Sequence, residues 1–198
     1  MNHIETELDK SRALDILERA FKDVPGVMWM IRNREKSKEH LRILLSVCLE
    51  EAILKKGAYL TKDRNGIILF YRLQIKPRSI TIFFKKLYLL IKVFGIRHGV
   101  RVLRSRKMID TIRPKEGWYA WFIATDKRAG NCVSAFEIKN EIFNISSTTN
   151  EPVYAETTVH RIVGIYEKIG FKVYSKMKHP YSNMDIWFLR RDPKPILS

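Results

Sequence analysis

The stretch that most constrains this chain is Trp118-Tyr119-Ala120-Trp121-Phe122-Ile123-Ala124, seven apolar residues without a break. An element with one wet face shows polar residues at every second position or once per helical turn, and this run shows neither. It must therefore be covered on both sides, as a central strand is when helices lie over both faces of its sheet. Its aromatic residues also favour a strand.

The segments around it supply the remaining layers. Leu14, Leu17 and Phe21 form one stripe of a helix that stops before Pro25-Gly26. Leu41, Leu44, Leu45, Cys48 and Ala52 line a second helix from about residue 39 to 55, with Gly57 as its expected left-handed stop. Two short apolar runs, 58–61 and 67–73, flank Asp63-Arg64-Asn65-Gly66 and predict a hairpin reversing at Asn-Gly. Between residues 80 and 112 the pattern is helical, broken near Gly95 and Gly99. Ile80, Phe83, Phe84, Leu87, Ile91 and Phe94 share a face there, which is expected to enter the core with the lysines opposite in water. After the central strand come a polar turn (125–131), a helix from about Cys132 carrying Val133, Phe136 and Phe143 inward, and a strand at 152–156. A helix at 159–169 closed by Gly170 and strands at 171–177 and 185–190 complete the chain. This order predicts an α/β (α+β) domain built on one mixed sheet. At 198 residues and 45% apolar content it fits a single domain over 1–198 with a sizeable core, and intrinsic disorder is excluded.

Charge and cysteines bound the setting. The net charge of +16 is concentrated between Arg72 and Lys115, where Asp110 is the only acidic residue. Such an excess favours polyanions: nucleic acid, an anionic membrane surface or cofactor phosphates. Lysines interrupt the most apolar stretch, 80–99, so no transmembrane segment is expected. Two cysteines without metal-ligand spacing, and the absence of a signal-peptide pattern, lead us to expect a cytoplasmic, reducing setting. Cys132 and His160 lack the spacing logic of a nucleophile pair, and His3, His40, His98 and His179 have no metal-ligand spacing.

A turn of small residues between a strand and a helix offers free backbone amides and the positive end of a helix dipole, which suits a phosphate. Ala129, Gly130, Cys132 and Ser134 supply the small side chains here, and Lys127 and Arg128 add positive charge.

The C-terminal third carries a more specific pattern. Tyr154-Ala155-Glu156-Thr157-Thr158, followed by Ile165-Tyr166-Glu167-Lys168-Ile169-Gly170-Phe171, resembles the closing half of the GNAT acetyltransferases, where a strand ending in E-T precedes a helix ending L-Y-E-K-L-G-F. The likeness is clear from Gly117 to Arg190 and looser from Ala13 to Leu73. It implies a GNAT-type domain with a splayed parallel strand pair, using acetyl-CoA as cosubstrate and an amine of a small molecule or protein as acceptor. The family's pyrophosphate loop falls on Ala129, Gly130, Asn131, Cys132, Val133 and Ser134, beside Arg128, with Cys132 and Ser134 where the family has small glycine-like positions. Ile162 stands where the family often has an Asn that touches the cofactor. The resemblance further implies that the pantetheine arm runs along the backbone of Phe122, Ile123 and Ala124. Tyr166 then falls on the family's proton donor to the departing thiolate, and Glu156, near the splay, is the candidate base. Two other readings stand beside this one: a GNAT-fold module without catalysis, and a polyanion-binding protein using residues 72–115.

Overall fold

The computed structural model describes residues 1–33, 35–76, 78–126, 128 and 132–193. A seven-stranded mixed sheet runs through it in the order β1-β2-β3-β4-β5-β7-β6. The strands are β1 (Asn2–His3), β2 (Ala58–Leu60), β3 (Gly66–Arg72), β4 (Trp118–Thr125), β5 (Val153–Thr157), β6 (Lys172–Lys178) and β7 (Asp185–Arg191). All neighbours pair antiparallel except β4 and β5, which are parallel. The unbroken apolar run is β4, at the centre of the sheet.

One face is covered by α1 (Glu7–Phe21) and α3 (Ser37–Leu54), the other by α6 (Val133–Thr149) and α7 (His160–Lys168). Thr6 starts α1 with a capping box, its hydroxyl accepting from the Asp9 amide while Asp9 reaches back to the Thr6 amide. Leu17 is buried, and Leu14 and Phe21 pack beside it; the α3 stripe Leu41, Leu44, Leu45, Cys48 and Ala52 is buried in full. Pro25-Gly26 does end the first helical stretch, but it also opens a short helix, α2 (Pro25–Met30), since proline suits the first helical position.

Several expectations need correction. The left-handed residue after α3 is Lys56 (φ 53°), not Gly57. Gly57 is needed for closeness instead: a Cβ there would lie 2.4 Å from the Phe70 carbonyl oxygen. At the hairpin, Arg64 (φ 57°) takes the left-handed conformation and Gly66 already belongs to β3, with no room for a side chain beside Ser134 and Thr61. The inward face of α6 is Ser134, Ile138, Ile142 and Ser146, whereas Val133 and Phe136 are 57% and 59% exposed. Phe143 is partly buried.

The largest departure is the insertion between β3 and β4. It comprises α4 (Ile80–Tyr88), a π-helical turn (Leu89–Phe94) and α5 (Ile96–Ile112), divided at Gly95 with φ 69°. The predicted stripe faces outward, with Ile80, Phe83 and Phe84 at 74%, 63% and 59% exposure. Lys85 and Lys86 stay partly in water but reach across to α3, Lys85 Nζ lying 2.6 Å from a Glu50 oxygen and Lys86 Nζ 2.8 Å from Glu51, while Lys92 is exposed. Of the stripe, Phe94 alone is buried, in a second set with Ile82, Leu89 and Val93.

Candidate active site

The parallel pair is short. Trp118, Tyr119 and Ala120 pair with Val153, Tyr154 and Ala155, and there the β4–β5 ladder stops. Yet β4 stays paired with β3 as far as Thr125, and β5 stays paired with β7 as far as Thr157. The two central strands therefore diverge into a fork, leaving backbone edges of both unpaired within the sheet.

A β-bulge sets what the fork presents. Leu69 pairs with Phe122 but Phe70 with Ala120, so Trp121 is an extra residue on β4. As a result Trp121 and Phe122, consecutive in sequence, both pack against the α1–α3 layer, their rings 5.1 Å apart. The amide phase shifts too. Trp118 donates to Pro152 on the β5 side, whereas beyond the bulge Asp126 donates to Asn65 on the β3 side. Alternation along an antiparallel ladder then turns the amides of Phe122 and Ala124 to β3 and those of Ile123 and Thr125 to the fork.

Helices flank the fork on one face: α6 lies on β3 and β4, and α7 on β5, β6 and β7. Each directly follows a strand of the fork, so both amino ends lie where β4 and β5 spread apart. Neither Cys132 before α6 nor Val159 before α7 makes a side-chain cap, so among the described residues no N-cap side chain takes up the first-turn amides of either helix. Cys132 and Val133 are exposed at this mouth. Ser134 is buried, and its hydroxyl donates to Asp63 at 2.8 and 2.9 Å. Asp63 also accepts from the Thr61 hydroxyl and the Asn65 amide; these bonds outweigh its burial and hold its carboxyl below the ordinary range. Arg128 is exposed, with its amide 3.2 Å from Asp126. Ala129, Gly130, Asn131 and Lys127 lie outside the described residues.

Tyr166 sits on α7, half-buried against the core that contains Ala120 and Ala155, with its ring edge-on to Phe171 at 4.9 Å. Burial pushes its hydroxyl up to about 12. Glu156 lies on the other face of the sheet. Its two oxygens accept from Arg113 at 2.7 and 2.9 Å, and Arg113 also donates to the Tyr119 hydroxyl at 3.2 Å and to Asp110 at 2.7 Å. Burial works against the Arg113 charge, but Tyr119 and Glu156 more than offset it and raise its pKa. The structure thus places Tyr166 and Glu156 on opposite faces at the fork rather than side by side.

Arg113 escaped the sequence reading, although the Arg113-Pro114 step forces an extended end to α5 and so aims its guanidinium at β5. A second unforeseen cluster joins α2, α5 and the turn between β6 and β7. His179 is buried there, Nε2 2.9 Å from the Ser105 hydroxyl and Nδ1 accepting from the Tyr181 amide at 3.3 Å. Trp29 packs edge-on to His179 at 4.2 Å and parallel to Tyr181 at 6.4 Å. The same helix α2 is tied to the end of β5 by a Gly26 amide bond to the Thr158 hydroxyl at 3.2 Å. Among the described residues no group of three or more His, Cys, Asp or Glu could hold a metal ion, and no helix is long and apolar enough to cross a membrane.

No family model and no curated protein matches the sequence. Solved structures match in shape. A histone acetyltransferase HPA2 and related acetyltransferase from Corynebacterium glutamicum superposes with a TM-score of 0.66 at 19% identity, over 98% of this chain and 96% of that one. The C-terminal condensation domain of Ebony, solved with beta-alanyl-dopamine, gives 0.62 at 9% identity over 96% and 98%. Arylalkylamine N-acetyltransferase 2 from Aedes aegypti gives 0.57 at 10% identity over 98% of both chains.

Proposed function

We propose that this chain, which has the GNAT acetyltransferase fold, transfers an acetyl group from acetyl-CoA to an amine by direct attack. The observation that carries the reading is the fork: β4 and β5 part after Ala120 and Ala155 while each remains held on its outer side. A slot of this kind offers unpaired strand amides to a thioester in the middle of the sheet and opens to both faces.

Acetyl-CoA would supply the activated acyl group. In the stretch Phe122–Ala124, the Ile123 amide is the donor turned to the slot, suited to the oxygen on which negative charge develops. First-turn amides at Val133 and Ser134, with Cys132 and Arg128 at the mouth, would receive the pyrophosphate together with the loop 129–131. Tyr166, kept protonated by burial, would protonate the departing thiolate on the α6–α7 side. The acceptor would enter from the opposite side, past Glu156, α2 and the His179 turn. Glu156, with both oxygens on Arg113, is suited to holding negative charge near an acceptor ammonium, and its part as a base rests on release from that pair. Positioning amine and thioester together would supply much of the rate.

Isothermal titration of the full chain with acetyl-CoA and CoA tests this. Saturable one-site binding that is lost when Arg128 and Ser134 are both changed to Asp supports the reading. No binding at millimolar CoA overturns it. Absence of binding would favour the second reading, a GNAT-fold module without catalysis, for which the specific observation is Ser134 bound to the Asp63 carboxylate at the amino end of α6.

A further inference from the structure

Positions 80, 83, 84, 87, 88 and 91 repeat at helical spacing and carry Ile, Phe, Phe, Leu, Tyr and Ile. A stripe of this kind normally seeks a core. Here all six side chains are exposed along α4 and the π-helical turn, while Ile82, Leu89 and Val93 beneath them fill the packing against the rest of the protein. Ion pairs from the partly exposed Lys85 and Lys86 to Glu50 and Glu51 on α3 favour this orientation of α4.

Charge identifies what would cover this face. Lys76, Arg78, Lys92, Arg97, Arg101 and Arg104 are exposed on the same insertion, and no carboxylate occurs between Arg72 and Ile109. A second copy laid face to face would bring two such cationic sets together, and of the acidic side chains between β3 and β4 Asp110 is already paired with Arg113 and Glu116 lies just before β4, away from α4 in sequence. A nucleic acid would satisfy the cations and leave the six apolar side chains in water. An interfacial helix on an anionic bilayer satisfies both, its apolar stripe entering the acyl boundary and its cations meeting the headgroups.

A cleft of about 570 Å³ beside the stripe adds an independent observation. It lies between the amino end of α3 and the π-helical turn, and Arg32, Lys36, Glu39, His40, Ile91 and Lys92 are among the residues that line it. His40 is buried, and its Nδ1 has no hydrogen-bond partner among the described residues. Gly95 makes room for Arg32, since a Cβ there would come within 2.9 Å of an Arg32 guanidinium nitrogen. Three cations against one carboxylate, an imidazole nitrogen without a partner among the described residues and a helix amino end suit this cleft to a phosphate group at the foot of an apolar stripe.

We infer that the α4 face is a docking surface for an anionic phospholipid bilayer, with a lipid phosphate seated in the Arg32–Lys36–His40–Lys92 cleft. The full chain should co-sediment with phosphatidylcholine vesicles containing about 30% phosphatidylglycerol, and bind pure phosphatidylcholine vesicles much more weakly. A Phe83→Ser/Phe84→Ser pair should weaken that binding by about tenfold or more while circular dichroism stays unchanged, because both rings are exposed. A Lys36→Ala/Lys92→Ala pair should cost about fivefold for each cation, and it carries the test should the serine pair misfold. Equal binding to both vesicle types overturns the inference, as does no binding to either. So do unchanged binding by both variants, an oligonucleotide bound in preference to vesicles, and a dimer in analytical ultracentrifugation that the serine pair disperses.

Discussion

Arg113 and Glu156 meet through two hydrogen bonds, at 2.7 and 2.9 Å, at the point where the last turn of the inserted helix α5 reaches the fork strand β5. Both side chains are 15% exposed, so removing either strands a charge that water reaches poorly. Arg113→Ala should cost about 3 kcal/mol in urea unfolding. The Arg113→Met/Glu156→Leu pair should cost less than the single change; equal or greater loss would show that the ion pair is not what holds this corner.

Tyr166→Phe removes one oxygen from a ring that keeps its packing on Phe171. Once an acceptor is in hand, the acetyl-transfer rate should fall by about 10²–10⁴-fold with the melting temperature nearly unchanged. An unchanged rate takes Tyr166 out of the mechanism.

The two cysteines should differ sharply. Cys48 is buried and its thiol is pushed up to about 12 by that burial, whereas Cys132 is exposed before α6. Native protein should therefore react with Ellman's reagent at one thiol, and Cys132→Ser should abolish the reaction. CoA should slow the labelling of Cys132; labelling indifferent to saturating CoA would place the cofactor elsewhere.

His179 sets a pH dependence. Burial depresses its pKa below the ordinary 6.5, so near and below that pH the unfolded chain takes up a proton that the folded one refuses. More protons on the unfolded side means stability that rises with pH. The contribution is therefore complete above 6.5 and declines as the pH falls toward the folded value. Melting temperatures between about pH 5 and 7.5 should show this slope, and His179→Asn should flatten it.

Two glycines should respond in opposite senses. Gly57→Ala drives a methyl into the Phe70 carbonyl and should destabilise by about 2 kcal/mol or more. Gly164, within α7, has nothing within 4 Å of the position a Cβ would take, and Gly164→Ala should stabilise by about 0.5–1 kcal/mol. Urea midpoints of the two variants check both.

Much of the architecture was legible because local pattern determines it. The β4 run, the α3 stripe and the order of the last five elements are short-range signals, and the Tyr154–Phe171 pattern named the fold. Which side of a helix faces inward was less legible. The outward stripe of α4 and an inward one have the same spacing, and the choice is made by Glu50 and Glu51, some 35 residues earlier for the Lys85 contact. On α6, Val133 and Phe136 were as apolar as Ile138 and Ile142, so periodicity did not discriminate between neighbouring faces. The candidate site was legible as a strand–turn–helix and a tyrosine. The grip of Arg113 on Glu156 and the shift in amide phase were not, because both depend on contacts across the sheet.

The extra residue at Trp121 makes β4 two half-strands of opposite phase joined end to end. Substitution there is a matter of volume, whereas a change of length is a matter of parity. Deleting Trp121 would remove the bulge and leave Phe122 and Ala124 turned to β3 and Ile123 to the slot, whereas inserting one residue beyond it would exchange the amides offered to the slot for those bonded to β3. The strand can therefore lose its extra residue and keep its phase but cannot gain a single one, and beyond the bulge it should tolerate insertions only in pairs.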